Sequence, residues 1–458
     1  MDLIQEVREE NNFVKNIFNR FKKRDFSGTT GQAVKNSSYQ LAQNLIFKFG
    51  SLLFTIVIAR MLLPDRMGLY NLSLATIVLF ASFSDLGIGA ALITFGAKLL
   101  GKDNKTKAKG YVKKLFKWKI NLLVITSFIL LAGAYFIAEF YYQKPIFYAI
   151  LVGAIYLPIL GILGFVETLF KTTENFKTPM FKEIIFQITR FVLVPLTIFV
   201  FLKSGMSDKL MIVVTLLAIT ASYSVALLFL VFRAKKKIDF LKVKSEDLNK
   251  KEVQGLKKFI LPLSATALAG MFFGYIDTLM LGHYVASEFI AYYGAAFALV
   301  GGAAAIIGFM SAALMPIFAK KSGKALENIF KKARNLTALI SIAAGIFTWF
   351  VAYYVVRIAY GIEYLQAVPV LKWFSVLVVI MPVIAIYRGY FITQKKTKGL
   401  AWLVFGSAVL NIILNFFGIR YGLEQFGMMG AVYGAVGATI LSRVLYLVGL
   451  IWMKKRKT

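Results

Sequence analysis

The sequence contains no cysteine and only one histidine, His283, among its 458 residues. The lack of cysteine excludes disulfide bonds, thiolate metal sites and cysteine nucleophiles, and one histidine leaves little for imidazole catalysis or a histidine-based metal site. Charged residues are also few, at 17%, whereas hydrophobic residues make up 59% and the mean hydropathy is +0.70. A water-soluble chain of this length could not bury so much apolar surface, so the composition predicts a membrane protein.

Acidic residues are scarce beside basic ones, 22 against 54, which gives a formal net charge of +32. Such an excess can indicate nucleic-acid binding, but no segment is long and polar enough to form the soluble domain that would carry it. Lysines and arginines instead concentrate in every second connector between apolar runs. The positive-inside rule then places these connectors and both termini in the cytoplasm, and no nucleic acid is expected as a partner.

Twelve segments are long and apolar enough to span a bilayer, which takes about 20 residues of helix. They predict an all-α, multi-pass protein of the cell membrane. Residues 1–34 are too polar for a signal peptide, and the helical spacing of their apolar residues predicts an amphipathic segment on the cytoplasmic membrane surface; a solvated tail is the alternative. The predicted spans are 38–62, 69–96, 119–139, 146–170, 180–202, 209–233, 258–284, 287–319, 336–359, 367–391, 399–418 and 428–453.

The longest basic connector separates the first six spans from the last six, so both halves have the same orientation in the membrane. At a shift of 222 residues, Tyr70 aligns with Tyr292 and Lys98 with Lys320 without a gap. Parallel halves of this kind enclose a central site within one chain and alternate its access by rocking, so a monomer suffices. The predicted units are an N-terminal bundle 35–233, a basic cytoplasmic linker 234–257, a C-terminal bundle 258–453 and a basic tail 454–458.

Polar side chains inside the spans mark the candidate site. Gln40, Asn44 and Lys48 continue through Ser51 and Thr55 as one stripe along the first predicted helix. A charge at the centre of a membrane helix costs about 2.5–3.5 kcal/mol, so this stripe must face protein or water. The other polar residues predicted to lie deep in the spans are Asp85, Arg190, Asp277, Asn411 and Arg443.

The deep cations outnumber the deep carboxylates. A cavity lined by Lys48, Arg190 and Arg443 would suit an anionic cargo, because arginine forms forked hydrogen bonds with phosphate and lysine adds a compact charge. Asp85 and Asp277 either bind a coupling ion or neutralise these cations in buried pairs, and the sequence leaves both open. Glu167, Arg357 and Arg388 lie near helix ends and are expected to reach the membrane interface.

Three segments carry a family resemblance: "ARMLLPDRMGLYNLS" (59–73), "SDLGIGAALITF" (84–95) and "YIDTLMLGHYVASEFIAYYGAAF" (275–297). From residue 35 onward the chain resembles the polysaccharide transporter family, which contains the Wzx-type lipid-linked oligosaccharide flippases of the multidrug/oligosaccharidyl-lipid/polysaccharide exporter superfamily. It departs from many of these flippases in having twelve predicted spans where they have fourteen. The segment "IDTLMLG" also resembles the multidrug branch of the superfamily.

The resemblance implies a fold of twelve transmembrane helices in two parallel six-helix bundles around a central cavity, as in multidrug extruders. It also implies a flippase that moves a polyprenyl-(di)phosphate-linked oligosaccharide from the cytoplasmic to the outer leaflet by alternating access. Its partners would be this lipid-linked glycan, membrane lipids and polysaccharide assembly enzymes. We expect no cofactor and no metal, with H⁺ or Na⁺ as a coupling ion.

On this interpretation the deep polar residues have separate roles. Lys48, Arg190 and Arg443 would bind the phosphate or an anionic sugar. Amide side chains would bind sugar hydroxyls, and two carboxylates would bind the coupling ion. The amides are Gln40, Asn44 and Asn411, and the carboxylates are Asp85 and Asp277.

Two other functions remain open. A multidrug or cation antiporter would use the same fold with a pocket dominated by carboxylates. A membrane glycosyltransferase is less favoured, because it needs carboxylates near a metal or base, usually in sizeable outer loops. Here the outer connectors are short, each carries at most one acid, and no DxD or Walker-type motif is present. We therefore expect a protein that is not an enzyme.

Overall fold

The computed structural model describes residues 28–205, 207–394 and 396–455, and these residues form helices joined by short turns. Most of the predicted amphipathic segment, residues 1–27, lies outside the described residues, as does the end of the basic tail, 456–458. The helices are α1 Gly28–Ser82, α2 Ile88–Leu100, α3 Lys105–Tyr135, α4 Phe147–Thr172, α5 Lys177–Lys203, α6 Asp208–Lys237, α7 Lys250–Tyr284, α8 Ser287–Lys320, α9 Gly323–Tyr360, α10 Ala367–Thr393 and α11 Thr397–Lys455. A π-helical extension of α3 covers Phe136–Tyr141, and short 3₁₀ turns cover Asp239–Leu241 and Ile362–Tyr364.

The two longest helices are each two spans joined at a kink. In α1 the kink is at Leu63 (φ 63°), directly before Pro64, whose ring cannot continue the hydrogen-bond ladder. In α11 it is at Phe426 and Gly427. With these divisions the fold has the predicted twelve spanning segments. Within the described residues, nine of the eleven helices, all except α2 and α7 and with each kinked pair counted once, are long and apolar enough to cross a membrane; α7 and the two divisions bring the number of segments to twelve.

The second predicted span, 69–96, is not continuous, so that prediction is wrong in its middle. The helix ends at Ser82 and resumes at Ile88 after a turn in which Leu86 and Gly87 have positive φ. The hydroxyl groups of Ser82 and Ser84 donate to the backbone carbonyls of Leu79 and Ala81. Such local bonds compete with the helical ladder, and the apolar run hides the turn from a hydropathy pattern.

The two halves meet at the face opposite the basic connectors, and several contacts between them occur in related pairs. Asp65 accepts a hydrogen bond from Ser287, which lies 222 residues further along the chain. The Tyr364 hydroxyl donates to the Ala59 carbonyl at 3.2 Å, and Tyr142, at the same spacing from Tyr364, packs against Gly282. Asp65 and Ser287 are thus equivalent at the predicted offset, and the Tyr142 contact corresponds to that of Tyr364 within one residue.

The buried apolar core is continuous at this opposite face and divided at the basic face. One core cluster includes residues of both halves, among them Leu62, Tyr142, Ile290 and Tyr364. Nearer the basic connectors there are two further clusters, one formed within residues 88–256 and the other within residues 318–450. The two halves thus share a core at one face and have separate cores at the other. This confirms two parallel six-helix bundles.

The connection between the halves is shorter than the predicted linker 234–257, because α6 continues to Lys237 and α7 begins at Lys250. The intervening chain is docked on the first turns of α3. The backbone N–H of Glu246 donates to the Thr106 carbonyl at 3.1 Å, and Lys107 forms ion pairs with Glu246 and Glu252 at 3.0 and 2.7 Å. The hydrogen bond from Lys107 lowers the pKa of the Glu252 carboxyl.

Replacing Gly110 with alanine should undock this connection. A Cβ at Gly110 would lie 1.9 Å from the Glu246 carbonyl oxygen, so one of the two backbones must move, at a cost of about 1–3 kcal/mol. Gly255→Ala is the matched control, because nothing lies within 4 Å of its added Cβ and alanine favours the helix. We expect the thermal unfolding midpoint in detergent to fall for Gly110→Ala only; equal midpoints would contradict the docking.

Candidate functional site

A buried carboxylate, Asp277 on α7, is the centre of a polar cluster in the second half. Its side chain accepts hydrogen bonds from Asn415 Nδ2 at 2.5 Å, from the Tyr293 hydroxyl at 2.7 Å and from Thr439 Oγ1 at 2.9 Å. These donors come from α8 and from both segments of α11. A carboxylate 4% exposed is stable in an apolar core only with such partners. The cluster therefore ties three helices to one charged or protonated group.

Two amide oxygens beside this carboxylate have no hydrogen-bond donor. Asn411 donates to Ser442 Oγ at 3.2 Å, and Asn415 donates to Asp277 and to the Asn411 carbonyl. Within the part of the chain that the structure describes, the Oδ1 atoms of both asparagines are buried and accept no hydrogen bond. Arg443, the next residue after Ser442, is half-buried and attracts Asp277 electrostatically. Carboxylate and amide oxygens are ligands that hard cations prefer.

The first half contains a chain of alternating charges that runs inward from the basic face. Lys182 on α5 forms ion pairs with Glu167 at 2.8 Å and with Glu183 at 2.9 Å. Gln187 donates to Glu183 at 2.8 Å and accepts from Arg190 at 2.5 Å. Glu167, expected at the membrane interface, is instead largely buried, with a side chain 13% exposed. That expectation is wrong, because α4 and α5 supply lysines that reach it.

Arg190 is enclosed by aromatic rings. Its guanidinium lies 4.1 Å from the centre of the Phe54 ring and 4.8 Å from that of Phe186, and Phe186 stacks on Tyr223 at 4.1 Å. The side chain is 7% exposed. Aromatic faces stabilise a cation that has lost its water. In this conformation Arg190 is thus part of the core of the first half and not exposed at a cavity surface.

Asp85 lies in the turn between α1 and α2, where it pairs with Lys119 of α3 at 3.2 Å. The lysine is 4% exposed and the carboxylate 52% exposed. Lys119 also lies 3.4 Å from the Ser84 hydroxyl. The sequence left two roles open for Asp85, binding a coupling ion or neutralising a buried cation. Asp85 does pair with a buried cation, but that cation is Lys119 and not Lys48, Arg190 or Arg443.

The polar stripe on α1 remains exposed. Gln40, Asn44 and Lys48 are all exposed. One turn after Lys48, Leu52 lies against α8, where a Cβ at Gly302 would be 2.6 Å from its Cδ2 atom. Residues four apart share a helix face, so the stripe lies on the face of α1 that turns toward the second half, on the basic side of the point where the halves meet.

Sequence comparison identifies the family. A family model described as "Polysaccharide biosynthesis protein" matches residues 33–322, more than half of the chain. The chain belongs to this family. A second model, described as "MatE", matches residues 262–417 of this family member, a range that includes Asp277, Asn411 and Asn415. No curated protein matches it in sequence.

Solved structures of low sequence identity share the fold of this polysaccharide biosynthesis protein. An inward-facing multidrug resistance MATE family transporter of the MOP superfamily is 16% identical, with a TM-score of 0.63 over 92% of this chain and 94% of that chain. The lipid II flippase MurJ in an inward closed conformation is 15% identical, with a TM-score of 0.67 over 90% and 86%. The eukaryotic MATE transporter AtDTX14 is 14% identical, with a TM-score of 0.58 over 92% and 94%. The fold is therefore MATE-like, and the family member is a multi-pass membrane protein.

The predicted site residues fall into four places in this family member. Asp277, Asn411 and Arg443 come together in the second half. The exposed stripe holds the three α1 residues, while Arg190 and Asp85 each belong to a separate network. Within the described residues no group of three or more histidine, cysteine or acidic side chains could hold a metal ion. Five buried partners carry no signal in the sequence pattern: Lys119, Lys182, Glu183, Tyr293 and Thr439.

Thr439→Val should test the cluster around Asp277. The substitution keeps the shape of the side chain and removes one donor to a buried carboxylate, so we expect a loss of about 1–3 kcal/mol in stability. The matched control is Thr215→Val, whose buried hydroxyl donates only to the Met211 carbonyl of its own helix. We expect the unfolding midpoint of the control to change much less. Similar midpoints for the two variants would show that the Thr439 bond contributes no more than an ordinary buried hydroxyl.

Proposed function

We propose that this protein is a flippase for a polyprenyl-(di)phosphate-linked oligosaccharide, which it moves between leaflets by alternating access. The glycan and its phosphates cannot cross hydrocarbon unaided, whereas the polyprenyl tail can stay in lipid. The protein therefore has to offer the head group a polar path between its two halves. Membership in the polysaccharide biosynthesis family supports a cargo that feeds a surface polysaccharide.

The observation that carries this proposal is the divided core together with the α1 stripe. Residues 88–256 and 318–450 form separate cores at the basic face, and the exposed stripe with Lys48 lies on the side of α1 that turns toward the second half. A cation on an otherwise apolar helix persists in a membrane where water or an anionic ligand reaches it. The stripe fits a head group that enters from the basic face, with its phosphate at Lys48.

The other predicted contact residues require motion on this proposal. Arg190 and Asn411 are buried within their own halves, so they would contact the cargo only after the halves rock and these networks rearrange. Asn44 and Gln40 would bind sugar hydroxyls at the start of transport. Arg443, half-buried beside the Asp277 cluster, would contribute positive charge from the second half.

We further propose that Asp277 binds the coupling ion, either H⁺ or Na⁺. The carboxylate lies beside two buried amide oxygens that accept no hydrogen bond within the described residues, and three helices contribute to the cluster. A cation bound there would draw α7, α8 and α11 together, whereas its release would loosen them. Asp85, with its exposed carboxylate, is a second candidate for ion exchange from the basic face.

The orientation and setting follow from the same proposal. The basic connectors and both termini would lie in the cytoplasm of the host, and the protein would act as a monomer in the cell membrane. Enzymes of polysaccharide assembly would deliver the cargo at one face and use it at the other. The protein itself would transport without forming or breaking covalent bonds.

Lys48→Ala should reduce transport without loss of folded protein. The assay is movement of a fluorescent polyprenyl-diphosphate oligosaccharide between leaflets of proteoliposomes. We expect a decrease of about tenfold or more, because one charge-assisted contact contributes about 1.5–3 kcal/mol. Lys48→Arg should retain most of the rate, and Lys209→Ala, which removes an exposed lysine at the opposite face, should match the unmodified protein. Unchanged transport by Lys48→Ala would remove this residue from the binding path.

Asp277→Asn should abolish the dependence of transport on an ion gradient. The amide keeps hydrogen-bonding capacity but cannot exchange a proton or neutralise Na⁺. Rates are compared with an imposed Na⁺ gradient, an imposed pH gradient and no gradient. Thr439→Val serves as the control that keeps the carboxylate, and it should still respond. If Asp277→Asn responds to both gradients as the unmodified protein does, coupling occurs elsewhere.

A multidrug or cation antiporter is the second candidate function. It is favoured by one observation, the match of residues 262–417 to the MatE family model, within which the buried carboxylate Asp277 lies. Efflux of cationic dyes from proteoliposomes separates the two functions. Dye transport without movement of the lipid-linked glycan would establish the antiporter and overturn the flippase.

A further inference from the structure

A groove of about 300 Å³ lies at the basic face of the first half, separate from the α1 stripe. It is formed by the ends of α4 and α6 and by the 3₁₀ turn that follows α6. Its walls are mainly hydrocarbon, and two amines stand at its edge. The lining residues are Val166, Leu169, Val231, Ala234, Lys235, Leu241 and Lys242.

The groove changes from apolar to cationic along the helix axis. On α6, Lys235 lies one turn, about 6 Å, nearer the basic face than Val231. On α4, Leu169 is likewise nearer that face than Val166. The apolar floor is therefore deeper in the membrane, and the amines lie at the mouth. An amphiphile with an acidic head group and a hydrocarbon chain is complementary to this arrangement, with its head group at the amines and its chain at the apolar floor.

The two amines are available to an anion. Within residues 28–205, 207–394 and 396–455, Lys235 forms no hydrogen bond or ion pair, and its side chain is exposed. Lys242 pairs with Asp239 at 2.7 Å, but the two side chains are 59% and 81% exposed. Such an exposed pair contributes little to stability, so a phosphate can displace the carboxylate. Lys236 and Lys237 add positive charge outside the groove.

We propose that this groove binds an anionic phospholipid from the leaflet that borders the basic face. Its phosphate lies between Lys235 and Lys242, and part of one acyl chain lies against Val166, Leu169 and Val231. The volume is at the lower limit of small-molecule sites, about 300 Å³, so only part of a chain enters. Basic pockets between membrane helices bind acidic head groups in this way, whereas the cationic head of a zwitterionic lipid meets repulsion.

The bound lipid also stabilises the turn that leads into the connection between the halves. Leu241 and Lys242 belong to both the groove and this turn, and the chain just beyond them is docked on α3, where Lys109 donates to the Val243 carbonyl at 2.7 Å. The composition of the leaflet thus acts on the segment that joins the two bundles. The site depends only on the described residues of the first half and is independent of the cargo proposed above.

The full chain is reconstituted in nanodiscs that contain equal amounts of phosphatidylglycerol and phosphatidylcholine. Native mass spectrometry then measures which of the two lipids the protein retains. We expect selective retention of phosphatidylglycerol, reduced about tenfold or more in Lys235→Glu/Lys242→Glu. The matched control, Lys236→Glu/Lys237→Glu, makes the same change in net charge at the same end of α6 outside the groove, and it should retain phosphatidylglycerol. Lys235→Glu alone, at an exposed position, provides a variant with little effect on folding.

Two further experiments distinguish a lipid phosphate from free phosphate and test the contribution of the acyl chain. Inorganic phosphate is tested by equilibrium dialysis in uncharged detergent, and we expect no binding, because the site requires the acyl chain. Ala234→Leu fills the groove without a change of charge and should also reduce retention. Equal loss in the two charge-reversed pairs, equal retention of both lipids, or phosphate binding that Ala234→Leu leaves unchanged would each overturn the proposal.

Discussion

Hydrocarbon supplies no hydrogen bonds, so every polar side chain inside this fold must be satisfied by another part of the chain or by water. This requirement separates the polar residues that have partners within the protein from those that remain exposed. The cluster around Asp277 and the chain from Glu167 to Arg190 find most of their partners within a single half, although Arg190 Nε and the Oδ1 atoms of Asn411 and Asn415 have none within the described residues. The α1 stripe with Lys48 is exposed, and it therefore needs water or a ligand. This difference is why the proposed function places the head group at the stripe and not at the buried networks.

The buried apolar contacts determine where the two bundles are joined and where they are separate. A shared core at one face and separate cores at the other permit the bundles to pivot about the shared region. Helix α7 contacts both halves. Leu256 in its first turns packs in the core of the first half, whereas Asp277, further along the helix, is bonded to side chains of the second half. This helix therefore contacts the cores of both bundles.

Much of this arrangement could be predicted from sequence, because hydropathy and charge asymmetry act at the scale of whole spans. Twelve segments, two like-oriented halves and the depth of Asp277 all follow from runs of apolar residues and their interruptions. The turn at 83–87 could not be predicted, since its serines and glycine lie inside a run that reads as one span. Arg190 lies within α5, inside its predicted span, but its enclosure by Phe54 and Phe186 depends on how α1 and α5 rotate against each other.

The sequence pattern also does not predict which polar side chains pair with each other. Gln43, not its stripe neighbours Gln40 and Asn44, donates to Glu167 at 2.9 Å, because α4 lies on that side of α1. In the sequence, Lys119 and Lys182 look like ordinary lysines near the ends of spans, yet both are buried, Lys119 against Asp85 in the turn after α1 and Lys182 against Glu167 of α4. A helical pattern defines which residues share a face, and only the packing of neighbours decides which face is buried.

The contact between Asp65 and Ser287 joins two positions that the internal repeat makes equivalent. In a symmetric dimer of half-length chains, equivalent positions on the two-fold axis face each other. The contact therefore lies where a two-fold axis relating the two halves would pass, and the seam between the halves resembles an isologous subunit interface within one chain. An acid now stands on one side of the axis and a hydroxyl on the other, an asymmetry that no homodimer could encode.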